Sequence, residues 1–141
     1  MPGERRRDAV RISISTDSDI VAARQEGRSL ATRAGFMATD QTLVATAISE
    51  IARNIVAHAG SGYIELTLVE QPGRQGLMIV ATDEGPGIDD LERALEDGFT
   101  TAQGLGLGLP GARRIMDEFV ITSKPGRGTR VVMHKWSHPD A

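Results

Sequence analysis

The sequence predicts an α+β domain, a two-layer sandwich with a mainly antiparallel mixed sheet and its helices on one face. Three observations lead there. Two long stretches, 18–34 and 39–60, carry apolar residues at helical spacing and follow one another with no strand between them. The remaining apolar stretches are short and come in pairs around turn-forming segments, "QPGRQG" and "PGRG". The resulting order, β-α-α-β-β-(α)-loop-α-β-β, contains two hairpins and implies a mainly antiparallel sheet.

Each element has its own warrant. "AVRISIS" (9–15) alternates, with Val10, Ile12 and Ile14 on one face, and reads as a half-buried strand. In the helix over 18–34, Asp17 or Ser18 is the expected N-cap and Gly35 the expected left-handed residue beyond its end. Gly27 weakens it. The helix over 39–60 is the strongest signal, with Leu43, Val44, Ala47, Ile48, Ile51 and Ile55 in one stripe. Thr39 or Asp40 is its expected cap, and Gly60 its end. "GYIELTLVE" (62–70) and "LMIVATD" (77–83) read as an antiparallel hairpin. Residues 89–97 read as a short helix and 98–111 as a glycine-rich, mobile loop. "LPGARRIMDEF" (109–119) reads as a helix, and "VITSK" with "TRVVMHKW" as a final hairpin. One domain over 9–136 is expected, with tails at 1–8 and 137–141.

Composition narrows the function. A chain of 141 residues is long enough to bury roughly 68–70% of its unfolded surface. Aromatics make up only 4%, so the core must be aliphatic. The net charge of -3 gives no basic field for nucleic acid. Arg5-Arg6-Arg7 reads as a solvated run. No cysteine is present, which removes thiol chemistry and disulfides. The first nine residues have no apolar signal region, and the longest apolar runs are strand-length. A cytoplasmic protein without nucleic-acid or membrane partners is expected.

Three polar stretches carry the chemistry. Glu50 and Asn54 lie four apart, on one face of the long helix, at the edge of its apolar stripe. "ATDEGPGIDD" (81–90) follows a strand. Asp83, an acceptor only, can take a hydrogen bond from the amino group of adenine, where guanine would oppose it with a carbonyl. Gly85 and Gly87 would let backbone approach a flat ring. "GLGLGLPG" (104–111) runs into a helix, so its backbone N–H groups can cradle phosphate. Taken singly, the three have plainer readings: a solvated helix face, an acidic turn, a flexible linker. Together, around one sheet, they are what an ATP site needs. A lone Asn suits Mg²⁺, which keeps waters and takes phosphate oxygens.

"SEIARN" (49–54), "DEGPGI" (83–88), "GLGLGLPG" and "GRGT" (126–129) resemble the N, G1, G2 and final boxes of the GHKL ATPase and kinase superfamily, which includes gyrase, Hsp90, histidine kinases and MutL. Within it the chain is similar to the small anti-sigma-factor serine kinases, most of all the switch kinases of the bacterial stressosome. "DIVAARQEGR", "EDGFTT" and "LPGARRIMDEF" carry that nearer match. The resemblance implies the Bergerat ATP-binding sandwich, with ATP and Mg²⁺ as cofactors. It implies Glu50 as general base, Asn54 as Mg²⁺ ligand, and Asp83 on the adenine amino group with Gly87 beside the ring. Thr129 would assist Asp83 through water. Gly104, Leu105, Gly106, Leu107 and Gly108 would line the phosphates under a lid of residues 89–103. The implied substrate is a serine or threonine of a STAS-domain antagonist, and the implied output partner a PP2C-type phosphatase. Two alternatives stay open: a nucleotide-gated binding module, and a direct anti-sigma factor that holds a sigma factor. Arg53 reads as a surface arginine, or as one that pairs with an acid or touches a partner. His58, His134 and His138 have no metal spacing and read as structural.

Overall fold

The computed structural model describes residues 5–87 and 108–137. The expected helix at 89–97, the rest of the lid, Gly104 to Leu107 and His138 lie outside the described residues. The elements are β1 (Arg5–Ile14), α1 (Asp17–Arg33), α2 (Ala38–His58), β2 (Gly62–Gln71), β3 (Arg74–Asp83), α3 (Gly108–Ile115), β4 (Glu118–Lys124) and β5 (Gly128–Trp136). The strands form one sheet in the order β1-β2-β3-β5-β4, and every ladder is antiparallel. No described helix is long and apolar enough to cross a membrane.

The register explains the two layers. Ile12, Ile64, Ala81, Val131 and Ile121 lie in one row across the five strands, and Val10, Leu66, Ile79, Met133 and Phe119 in the row two residues along. Because side chains alternate between faces, both rows point the same way. Ile20, Ala23 and Leu30 of α1, Val44, Ile48, Ile51 and Ile55 of α2, and Leu109 and Ala112 of α3 close over them as one core. Each buried Ile, Leu or Val contributes about 1.5–3 kcal/mol. Gly27 sits at the α1–α2 crossing, where a Cβ would collide with the δ-methyl of Ile48. Its helix-propensity cost of about 1 kcal/mol is offset by this close approach.

Several element ends differ from expectation, each for a local reason. The α1 N-cap is Thr16, not Asp17 or Ser18. Its hydroxyl accepts from the Asp19 N–H, while the Asp19 carboxylate accepts from the N–H groups of Ser15 and Thr16, a reciprocal capping box. The Ser15 contact leads in holding the Asp19 carboxyl below its ordinary value. At the other end, Phe36 N–H reaches the Ala31 carbonyl and Gly35 N–H the Thr32 carbonyl, so Gly35 takes the position expected of it. The N-cap of α2 is Met37, with no side-chain cap, so neither Thr39 nor Asp40 holds that place. β1 starts at Arg5, inside what reads as a tail, because it pairs with β2 as far as Glu70, with a register shift between Arg7 and Val10. β3 likewise starts at Arg74.

The helix expected to run to Phe119 stops at Ile115. Strand β5 takes over its polar groups. Asp117 N–H donates to the His134 carbonyl, the Asp117 carboxylate accepts from Trp136 N–H at 2.8 Å, and Glu118 accepts from the Trp136 indole at 2.9 Å. Lys135, only 7% exposed, turns its ammonium to the Ile115 carbonyl at 3.0 Å and lies 3.6 Å from the Asp117 carboxylate. A cation on the last carbonyls of a helix is favourable. On the sheet face away from the helices, Trp136 lies over Gly76, its cross-strand partner, under the guanidinium of Arg74.

Two outcomes follow from this packing. A Cβ at Gly76 would stand 2.5 Å from the indole. Gly76→Val should therefore cost about 2–3 kcal/mol, read by urea unfolding, with red-shifted emission from the single tryptophan. Asp19→Asn should destabilise the protein at pH 7. Since the folded pKa of Asp19 is depressed below 3.8, its contribution is present above that value and lost as pH falls through the folded one, so mutant and wild type should converge in acid unfolding.

Candidate functional site

Asp83 closes β3 on the helix-facing side of the sheet, in a row that reads Ile14, Gly62, Asp83, Thr129, Ser123. It is 8% exposed and Thr129 7%. A buried carboxylate must be satisfied by donors. Its Oδ1 accepts from the Gly85 N–H at 2.9 Å, which turns the chain away from the strand. Beside it, the hydroxyls of Thr129 and Ser123 lie 2.8 Å apart, and Ser123 donates to the Gly128 carbonyl at 3.1 Å.

The glycines around Asp83 are packed by protein. A Cβ on Gly85 would stand 2.5 Å from the Cβ of Ala59, just past α2. Gly87 and Gly128 have φ of 78° and 85°, and a Cβ on them would strike the Lys124 and Asp83 carbonyls respectively. Gly126 N–H, in the β4–β5 turn, donates to the Pro86 carbonyl at 2.6 Å. The loop is thus clamped between the end of α2 and the β4–β5 turn. Expected only to leave room for a ring, Gly85 and Gly87 have this second physical reason: no other residue admits the clamp.

Glu50 stands at the edge of the apolar face of α2, its side chain 12% exposed. One oxygen accepts from the Gly108 N–H at 2.7 Å, and the other from the Arg53 guanidinium at 2.5 Å. Gly108 is the first residue of α3, so an N–H at a helix start, a group suited to phosphate, here reaches the carboxylate. Arg53 thus pairs with an acid, one of the readings its place on the helix left open. Asn54, half-buried, follows one turn after Glu50, about 6 Å along the axis. The same helix therefore holds Glu50 near the start of α3 and, through Ala59, touches the loop of Asp83.

The structure joins Glu50 to Gly108, and Asp83 to Gly85 and Thr129. Asn54 lies on α2 between these two groups. Sequence reasoning missed Ser123 and Ala59. Counting back across "SKPGRGT" with Lys124 opposite Gly128 would have placed Ser123 against Thr129. His58 is exposed at the end of α2, and His134 stacks on Trp136 with centroids 5.8 Å apart and lies 3.7 Å from Glu118.

The donor set fits a purine nucleotide with its metal. Asp83 is an acceptor at a sheet end and Asn54 offers a neutral amide oxygen, while the Gly108 N–H at the start of α3 is taken by Glu50. No group of three or more His, Asp or Glu that could hold a metal occurs among the described residues. A cation here would rely on phosphate oxygens, as Mg²⁺ does.

Residues 39–138 match the model of the histidine kinase-, DNA gyrase B- and HSP90-like ATPases. The chain is 51% identical over 125 residues to the serine/threonine-protein kinase RsbT of Bacillus subtilis (strain 168), covering 89% of this chain and 94% of that protein. It is 33% identical over 129 residues to the anti-sigma F factor of Geobacillus stearothermophilus, covering 81% and 87%. Over 102 residues it is 33% identical to the anti-sigma F factor of Thermoanaerobacter sp. (strain X514), covering 69% and 71%. With its sandwich fold, its Glu50–Gly108 bond and its Asp83–Thr129 pairing, the chain belongs to the histidine kinase-, DNA gyrase B- and HSP90-like ATPase family.

Proposed function

We propose that this chain is an ATP-dependent protein serine/threonine kinase of a bacterial partner-switching pathway. Its substrate is a STAS-domain antagonist, and it binds and activates a PP2C-type phosphatase. The observation that carries the reading is the fixed Glu50 carboxylate beside the first N–H of α3, in a chain 51% identical to a serine/threonine kinase.

When bound, ATP supplies the phosphoryl group and Mg²⁺ neutralises charge on its phosphate oxygens. Asp83 accepts from the exocyclic amine of adenine, with Thr129 beside it. Asn54 holds the metal through its amide oxygen. The glycine-rich run of Gly104, Leu105, Gly106, Leu107 and Gly108 is the segment proposed to meet the phosphates. Glu50 accepts the proton of the incoming serine or threonine hydroxyl. An ionised carboxylate has about four lone-pair sites. Two are taken, by Gly108 and Arg53, and those bonds aim the remaining ones. Phosphoryl transfer depends chiefly on such positioning and on charge neutralisation.

The anti-sigma F factors among the relatives favour one second reading, a direct anti-sigma factor that holds a sigma factor. The test is incubation of the full chain with Mg²⁺ and γ-labelled ATP, with a STAS-domain protein or a sigma factor from the same genome. The kinase reading expects label on a serine or threonine of the STAS protein. Nucleotide-dependent capture of the sigma factor without transfer to the STAS protein would replace it.

Two variants assign the roles. Glu50→Gln should bind nucleotide as wild type does and transfer at least about a hundredfold more slowly. Asp83→Asn should weaken ATP binding by about 10- to 100-fold, measured by calorimetry.

A further inference from the structure

Glu50 and Asn54 pose a chemical problem. A carboxylate is a stronger ligand for a hard divalent cation than a neutral amide oxygen, and Mg²⁺ is ordinarily held through carboxylates. Residues four apart on a helix are neighbours, so both side chains can serve one ligand. A carboxylate that takes the cation is lost as a base. The structure holds Glu50 by a donor on each oxygen. Oε1 accepts from the Gly108 N–H at 2.7 Å, and Oε2 from Arg53 Nη1 at 2.5 Å. Only the second donor carries a charge. Asn54 and Arg53 also lie on opposite sides of Glu50. At 3.6 residues per turn, Asn54 is rotated from it by about 40° one way and Arg53 by about 60° the other. The Arg53 bond therefore draws the carboxylate away from Asn54. The Glu50 side chain is 12% exposed, so the pair is screened less than one in open solvent.

We infer that Arg53 is a positioning residue that keeps Glu50 off the metal, so that Asn54 takes the cation and Glu50 stays a base. This rests on the roles proposed above for those two residues. Without the guanidinium, Oε2 loses the donor that occupies it, and the carboxylate keeps a negative charge with no cation against it. A divalent cation on Asn54 would offer it both a partner and charge neutralisation. One substitution at Arg53 then moves two measurements in opposite directions: metal affinity rises and phosphoryl transfer falls. A merely structural role would lower both.

The experiment uses the full chain saturated with the β,γ-methylene analogue of ATP and measures binding of Mn²⁺, as a probe for Mg²⁺, by electron paramagnetic resonance. Transfer to the STAS-domain protein is measured separately with MgATP. Arg53→Met should bind Mn²⁺ about three- to tenfold more tightly and transfer at least about tenfold more slowly. Arg53→Gln, equally uncharged, should behave in the same way and serves if the methionine variant does not fold. Arg53→Lys, which keeps the cation, should restore the wild-type metal affinity. In a Glu50→Gln background, Arg53→Met should leave Mn²⁺ binding unchanged, because no carboxylate remains to turn. Unchanged or weaker Mn²⁺ binding in Arg53→Met and Arg53→Gln overturns the proposal. So does an equal tightening in the Glu50→Gln background, which would mark a general effect of charge. A wild type whose Mn²⁺ affinity is the same in Asn54→Ala overturns the reading of Asn54 itself, and this proposal with it.

Discussion

A carboxylate set into the apolar face of a sheet is the constraint on which the rest of this structure depends. Asp83 shares its face with Ala81 and Ile79, yet it is 8% exposed. An unsatisfied charge there would cost several kcal/mol. The fold meets this by ending the strand at that residue and turning the Gly85 amide back onto it. The turn then dictates its neighbours. It needs Ala59 close by, a carbonyl of Lys124 against Gly87, and the β4–β5 turn bonded to Pro86. The last hairpin is thus placed by the demands of one acid as well as by its own ladder.

Helix α2 relates this acid to the second one. Its buried stripe of Val44, Ile48, Ile51 and Ile55 locks it on the sheet. Along the edge of that stripe it carries Glu50, Arg53 and Asn54, and at its end Ala59 meets Gly85. The spacing between the two polar centres is therefore set by helical rise and aliphatic packing, which are stiff, and not by loop conformation. The Glu50 carboxylate gains its orientation from two donors of different origin: a side chain of its own helix and the backbone of α3.

Most of the fold was legible because periodicity reports burial. Leu66 and Ile79 alternate, Ile48 and Ile55 recur at helical spacing, and both patterns survive into the packed core. What was not legible depends on tertiary partners. "MDEF" has good helical character, but Asp117 and Glu118 are claimed by Trp136, and no local rule announces that. Thr16 outranks Asp17 as a cap because Asp19 completes a reciprocal pair with it. At the site, Glu50, Asn54 and Asp83 stood out as chemistry-bearing residues within motifs. Ser123 did not, since a serine in a strand carries no signal until the register puts it beside Thr129.

Helix α3 is bound at both ends by charged side chains. Its first amide is held by Glu50, and its last carbonyl by the buried ammonium of Lys135. At eight residues it is about 12 Å long, too short to bend appreciably. Between those two bonds Leu109 and Ala112 are buried in the core, so α3 is fixed at its start, along its length and at its end. The direction of the Glu50 carboxylate is thereby tied to the same aliphatic packing that seats the helix.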